Sequence, residues 1–77
     1  MRILKSKQVI KFIESQDRPT QKRLSEALNK LPEGDVVPVV GLINTFRLRV
    51  GKFRAIFVKE IDIIKITEID SRGQIYK

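Results

Sequence analysis

The chain has 77 residues, and its 16 Lys and Arg residues outnumber 9 Asp and Glu residues, which gives a formal net charge of +7. It contains neither cysteine nor histidine, which excludes disulfide bonds, a thiol nucleophile, Cys/His zinc sites and a histidine general base. Hydrophobic residues make up 42% of the chain, enough for a small core, and the length predicts a single domain over residues 1–77. The excess of positive charge favours a polyanionic partner, with nucleic acid ahead of a membrane surface.

Membrane and export signals are not found in the sequence. No stretch approaches the roughly 18 consecutive apolar residues of a spanning helix. The basic start, Met1 to Lys5, is not followed by the long apolar run of a signal peptide. We therefore expect a cytoplasmic protein with no membrane partner.

Hydrophobic spacing predicts two helices in the first half of the chain. The first covers Ser6–Ser15, and Lys7 and Lys11 share one surface of it because they are four residues apart. After a break at residues 17–19, Pro19 suits the first turn of the second helix. The second helix has apolar residues at i, i+3, i+4 and i+7, namely Leu24, Ala27, Leu28 and Leu31. It ends in the segment 31–35, because Pro32 cannot continue a helix.

The second half changes to strand-like alternation. Strands are predicted at Thr45–Val50, Phe53–Lys59 and Ile61–Asp70, with a weaker one at Arg2–Leu4. The pair Gly51-Lys52 suits a two-residue type II′ turn between the first two of these strands. The predicted fold class is α+β, with an N-terminal helical hairpin packed on a three- to four-stranded antiparallel sheet.

The predicted hairpin gathers arginines on one face. A turn at Gly51-Lys52 places Arg49 opposite Arg54, with Arg47 on the same face, and like charges in this position repel each other. No Asp or Glu occurs from Val36 to Lys59. The opposite face is apolar and consists of Phe46, Leu48, Val50, Phe53, Ala55 and Phe57. Two interpretations stay open for the arginines: a solvated outer face, or a site whose guanidinium forks bind phosphate.

Little catalytic chemistry is open to this set of residues. The carboxylates are scattered in a way that indicates solubilising edge charges, so we expect no metal and no other cofactor. RNA cleavage by the substrate's own 2′-hydroxyl remains accessible, because arginines can stabilise the charged transition state. Arginine cannot serve as an ordinary base. Tyr76 is the candidate acid, and Glu68 or Lys52 could assist it. The alternative role of Tyr76 is packing at the end of a strand.

Three segments together resemble the RelE/ParE family of bacterial toxins. They are Leu31–Val36 (LPEGDV), Phe46–Phe57 (FRLRVGKFRAIF) and Asp70–Lys77 (DSRGQIYK). The resemblance implies a toxin of a type II toxin–antitoxin system, bound by a cognate antitoxin protein, that cleaves mRNA in the ribosomal A site. The catalytic positions it implies are Arg49, Arg54, Arg72 and Tyr76. The predicted RNA-binding residues are Arg47, Lys52, Lys7 and Lys11.

Two alternatives to the ribosome-dependent endoribonuclease stay open. One is a ParE-like poison of DNA gyrase without nuclease activity, because the hairpin motif occurs in both branches of the family. The other is an inactive, antitoxin-binding remnant. It is favoured by the absence of a clear general base and by phenylalanine at positions 46, 53 and 57, where the family often has tyrosine.

Overall fold

The structure is a computed structural model, and it describes residues 2–71. Two helices and five strands follow one another along this part of the chain. In order they are β1 (Arg2–Lys5), α1 (Lys7–Glu14), α2 (Arg18–Asn29), β2 (Asp35–Pro38), β3 (Thr45–Val50), β4 (Phe53–Lys59) and β5 (Ile63–Ser71). Within residues 2–71, no helix has the length and apolar character needed to cross a membrane.

The five strands form one mixed sheet in the order β1-β5-β4-β3-β2. β1 lies parallel to β5, whereas the other neighbouring strands are antiparallel. The prediction of a helical hairpin on a three- to four-stranded antiparallel sheet is therefore wrong. The parallel β1 was missed as a sheet partner because its neighbour lies some sixty residues away in the sequence. β2 was missed because it is four residues long and ends in Pro38, a residue that lacks the N–H of a strand interior.

Both helices begin at a capped N-terminus. The Ser6 side chain accepts a hydrogen bond from the Val9 backbone N–H at 3.2 Å, and the Asp17 carboxylate accepts one from the Thr20 N–H at 3.2 Å. These bonds satisfy donors that the first helical turn leaves without an internal partner. Pro19 lies in the first turn of α2, as its fixed φ predicts.

The central hairpin has the register that the sequence predicts. Val50 lies opposite Phe53 and Arg49 opposite Arg54. Gly51 has a φ of +58°, which glycine adopts without the steric cost that other residues meet in a tight turn. Because side chains alternate along each strand, this register separates an apolar face from an arginine-bearing face.

The core lies between the helices and the apolar face of the sheet. Phe57 is fully buried at its centre, and its ring stacks on that of Phe46 with 5.5 Å between centroids. Phe12 of α1 meets Phe53 of β4 edge-to-face at 5.8 Å. The remaining buried members come from both helices, the turn after α2 and the central strands: Val9, Ile13, Leu24, Leu28, Leu31, Leu48, Ala55, Ile64, Ile66 and Ile69. Each of these side chains larger than alanine contributes about 1.5–3 kcal/mol through the burial of its apolar surface.

β5 contains a bulge, and beyond it the strand is bonded to a side chain of α1. Ile56 pairs with Glu68 and Phe57 with Ile66, which leaves Thr67 as the extra residue. Beyond the end of β1, the Gln8 amide donates to the Ile69 carbonyl at 2.9 Å and accepts from the Ile69 N–H at 3.1 Å. The glutamine thus replaces a backbone neighbour and fixes α1 against β5.

Candidate functional site

The arginine face is the side of the sheet that the helices do not cover. We define it by Arg47 and Arg49 of β3 and Arg54 of β4. They alternate with the buried residues that pack under the helices. The cross-strand pair Arg49–Arg54 is present as predicted, so the hairpin brings at least two guanidinium-bearing residues to neighbouring positions.

The sheet register also places a carboxylate on each side of this arginine pair. Asp35 of β2 pairs with Arg49, and Asp70 of β5 pairs with Arg54. Directly paired residues share a face of the sheet, with Cβ atoms about 5 Å apart. The row Asp35–Arg49–Arg54–Asp70 therefore carries two positive and two negative charges across four strands. The sequence conceals this balance because both carboxylates lie outside the hairpin segment.

These four charges are neighbours without direct contact. Among residues 2–71, the ion pair within 4.0 Å is that of Lys65 Nζ with Glu60 Oε1, at 3.4 Å. The Asp70 carboxylate instead accepts the Ser71 backbone N–H at 2.8 Å. The row has no net charge, so it attracts a polyanion less than two arginines alone would do.

Arg47 occupies a different environment from the other two arginines. It lies between Val37 of β2 and Ile56 of β4 in the register, with Glu68 one strand further. Its Nε is buried and has no hydrogen-bond partner in the part of the chain that the structure describes. Ile56 is only 8% exposed although it lies on the arginine face. A long Arg side chain can cover such an apolar neighbour with its methylenes while its head stays outside.

The remaining predicted site residues are dispersed. Lys7 and Lys11 are exposed on α1, on the helix side of the sheet. Lys52 lies at the hairpin turn, where its Nζ is 5.5 Å from the centre of the Phe53 ring. Arg72 and Tyr76 lie outside the described residues. The structure thus brings Arg47, Arg49 and Arg54 to one face and places the three lysines elsewhere; the catalytic and RNA-binding roles stay untested.

A cleft of about 310 Å³ lies between α2 and the start of the β2–β3 pair. It contains charged residues of both signs in equal number: Arg23, Lys30 and Arg49 with Glu26, Glu33 and Asp35. Such a mixed lining does not select an anion or a cation. Among residues 2–71, no group of three or more Asp or Glu side chains could hold a metal ion.

A second surface, at one end of the sheet, is apolar and strongly exposed. We call it the apolar tip and define it as Val40, Leu42 and Ile43 of the β2–β3 loop with Ile61 of the β4–β5 turn. Their exposed fractions are 97%, 60%, 86% and 91%. The sequence pattern did not reveal this surface, because apolar residues between predicted strands are equally compatible with burial in the core.

Two solved structures resemble the chain over nearly its whole length. A chain of the crystal structure of the archaeal RelE–RelB complex from Pyrococcus horikoshii OT3 superposes with a TM-score of 0.77 and 25% identity, covering 95% of this chain and 96% of that chain. A chain of the RelB–RelE antitoxin–toxin complex from Methanococcus jannaschii has a TM-score of 0.76 and 21% identity, with 95% and 94% covered. No family model matches the sequence, and no curated protein does so either.

These findings correct the prediction of a RelE/ParE-family toxin and of a ribosome-dependent mRNA endonuclease. They support the context of a toxin–antitoxin complex and oppose the assignment of this chain as the toxin. The charge balance on the arginine face agrees with the correction, because the predicted phosphate site required guanidinium groups with no carboxylates beside them.

Proposed function

We propose that this chain is a non-enzymatic subunit of a RelE–RelB-type toxin–antitoxin complex and acts by binding its partner protein. The observation that carries the proposal is the superposition, over 95% of this chain, on chains of two such complexes. Of the functions that the sequence left open, an inactive binding module comes nearest to this role.

The chemistry of the arginine face supports binding over catalysis. Arginine stays protonated at physiological pH, so Arg47, Arg49 and Arg54 cannot accept a proton from a nucleophile. The same groups are well suited to a protein interface, where arginine is enriched. A net charge of +7 also favours a partner with an excess of acidic residues.

Capture of the partner under native conditions tests the binding role. The full chain, tagged and produced in its source cells, is crosslinked, and the proteins held with it are identified by mass spectrometry. We expect one protein in fixed stoichiometry, which then forms a complex of defined mass when the two are co-expressed. A chain that stays monomeric and retains no stoichiometric protein would contradict the proposal.

Expression of the chain alone tests the absence of enzyme activity. We expect unchanged growth and intact messages by primer extension, because binding without cleavage leaves the mRNA pool untouched. The Arg49→Ala/Arg54→Ala variant is the matched control and should behave as the unmodified chain does. Growth arrest with message cuts that disappear in this variant would refute a non-enzymatic role.

A further inference from the structure

We infer that the apolar tip binds an acidic, amphipathic helical segment of the partner protein. The inference rests on the proposed function and deepens it, because it assigns the binding role to one end of the sheet. The tip has two properties that such a segment would match: apolar side chains that are mostly exposed to solvent, and an excess of positive charge around them.

The two parts of the tip are held together by a backbone hydrogen bond. The Lys59 N–H donates to the Asn44 carbonyl at 2.8 Å, which joins the β2–β3 loop to the strand leading into the β4–β5 turn. The loop is further fixed by the Leu42 N–H, which donates to the Val39 carbonyl at 3.3 Å. Asn44 and Ile61 also line one shared cleft. These backbone hydrogen bonds therefore hold the apolar side chains at one end of the sheet.

The exposure of these residues is unusual for a chain that has its own core. Val40, Ile43 and Ile61 each leave more than four-fifths of their surface in water, although the same sheet buries Ile64, Ile66 and Ile69 completely or nearly so. A single exposed apolar residue needs no explanation, but a group of four at one end of a small protein marks an interaction surface. A partner that covers the tip removes this apolar area from water.

The charges around the tip select an acidic occupant. Ile61 has a carboxylate on either side, Glu60 and Asp62. Glu60 is paired with Lys65 at 3.4 Å. Together with Lys59 and Arg47, Lys65 leaves three positive charges against two negative ones around the tip. Arg47 lines a cleft of about 310 Å³ whose other walls are the apolar residues Val37 to Val40. Among the described residues 2–71, the buried Arg47 Nε–H has no acceptor, and a carboxylate of the partner would supply one.

The outer edge of β2 argues against the addition of a partner strand there. The Val39 N–H bonds inward to the Thr45 carbonyl at 2.9 Å, so Val36 and Pro38 direct their backbone nitrogens outward. The Val36 N–H donates to the Gly34 carbonyl at 2.9 Å, and Pro38 has no N–H. With no outward donor left on β2, an occupant at this end uses side chains, as an amphipathic helix does.

Substitution of the tip tests the inference on the complex captured as described above. In Val40→Ser/Ile43→Ser/Ile61→Ser we expect binding of the captured partner to weaken about tenfold or more, since each change removes apolar area that docking would bury. The matched control is Leu4→Ser/Ile10→Ser, whose residues are 41% and 42% exposed at other sites, and it should bind as the unmodified chain does. All variants are checked by thermal unfolding, because the exposed tip contributes little to the core.

The outcomes separate the two proposals. If the unmodified chain captures no partner, the proposed function fails. If it captures one and the tip variant binds it equally well, the role of the tip alone is overturned. Sedimentation of the free chain at rising concentration addresses a second copy as the occupant: self-association abolished by the tip variant, with partner binding retained, would also overturn the inference.

The acidic character of the occupant has its own test. Lys59→Glu should weaken binding and reduce its dependence on salt, whereas Lys7→Glu, an equal charge change on α1, should leave both unchanged. Hydrogen exchange of the complex should show protection of amides 39–44 relative to the free chain. Equal effects of the two charge changes, or protection confined to other segments, would contradict the inference.

Discussion

Asp17 stabilises the start of α2 through its charge as well as its shape. Hydrogen bonds from the Thr20 hydroxyl and backbone N–H lower the pKa of the Asp17 carboxyl in the folded chain. A group whose folded pKa lies below its unfolded value contributes stability that is fully present above the unfolded pKa, about 3.9 for Asp. That contribution is lost as the pH falls through the folded pKa.

We therefore expect Asp17→Ala to lower the urea midpoint at pH 7. Below pH 3, the midpoint of this variant should lie closer to that of the unmodified chain. Asp17→Asn keeps an acceptor for the cap without titrating, so it should retain much of the stability and show a smaller loss on acidification. Urea unfolding followed by circular dichroism between pH 2 and pH 7 gives both results. A constant difference between Asp17→Ala and the unmodified chain over this range would refute the charge contribution.

Arg47 carries a buried donor that has no partner within residues 2–71, and removing this donor should stabilise the free chain. Arg47→Met keeps a long apolar stem against Ile56 and eliminates the unpaired Nε–H. We expect the free energy of unfolding to rise by about 1 kcal/mol, the typical cost of an unsatisfied buried group. Arg23→Met, at an exposed position of α2, is the control and should change it little. A decrease in Arg47→Met would show that the guanidinium stabilises the isolated fold.

At the scale of elements, the turn before β2 depends on Gly34. Its φ is +125°, and an added Cβ would lie 3.1 Å from Leu48 Cδ1. Gly41, with a φ of +87°, has no atom within 4 Å of such a Cβ. We expect Gly34→Ala to destabilise the chain by about 1–3 kcal/mol through strain plus crowding, and Gly41→Ala by less because only strain applies. Equal unfolding midpoints in urea would contradict this difference.

The charge row across β2, β3, β4 and β5 makes a prediction about salt. In Asp35→Asn/Asp70→Asn the pair Arg49–Arg54 loses its carboxylate neighbours, so like-charge repulsion should lower stability, and added salt should restore it. We expect a loss of about 0.5–1 kcal/mol at low salt, in the range of exposed pairs. Glu14→Gln/Glu26→Gln removes the same charge elsewhere and serves as the control. A salt response equal to that of the control would refute the role of the row.

The elements that the sequence predicted correctly are those specified by local pattern. Alternation and the glycine at position 51 determine the hairpin register, and hydrophobic spacing together with Pro19 locates the two helices. The register that unites β1 with β5, or Asp35 and Asp70 with the arginines, is a property of distant segments. Nothing in the spacing of nearby residues indicates such neighbours, so the mixed sheet and the balanced row were not predicted.

The same limit applies to function. The hairpin and turn motifs that resemble RelE/ParE toxins specify strands, turns and a basic face. They do not determine the charge that other strands bring to that face. The resemblance therefore led to a toxin–antitoxin context, which the comparisons support, and to a nuclease, which they oppose.

For the molecule as a whole, partner binding should raise thermal stability. A protein that binds the folded chain and not the unfolded one stabilises it by mass action, by about 2.7 kcal/mol at a hundredfold excess over Kd. We expect the Tm of the chain to rise in the co-expressed complex and to increase further with partner concentration. The tip variant Val40→Ser/Ile43→Ser/Ile61→Ser is the control and should show a much smaller rise. Equal Tm values with and without the partner would contradict the binding role.

The pairing of β1 with β5 has a consequence for the order in which this chain folds. Residues 2–5 pair with residues 63–66, so β1 cannot join the sheet until residues 63–66 have been synthesised. The β3–β4 ribbon, whose contacts are local, can form earlier. During translation β1 therefore stays unpaired while residues 6–62 are made. The pairing of β1 with β5, which completes this edge of the sheet, is a late step of folding.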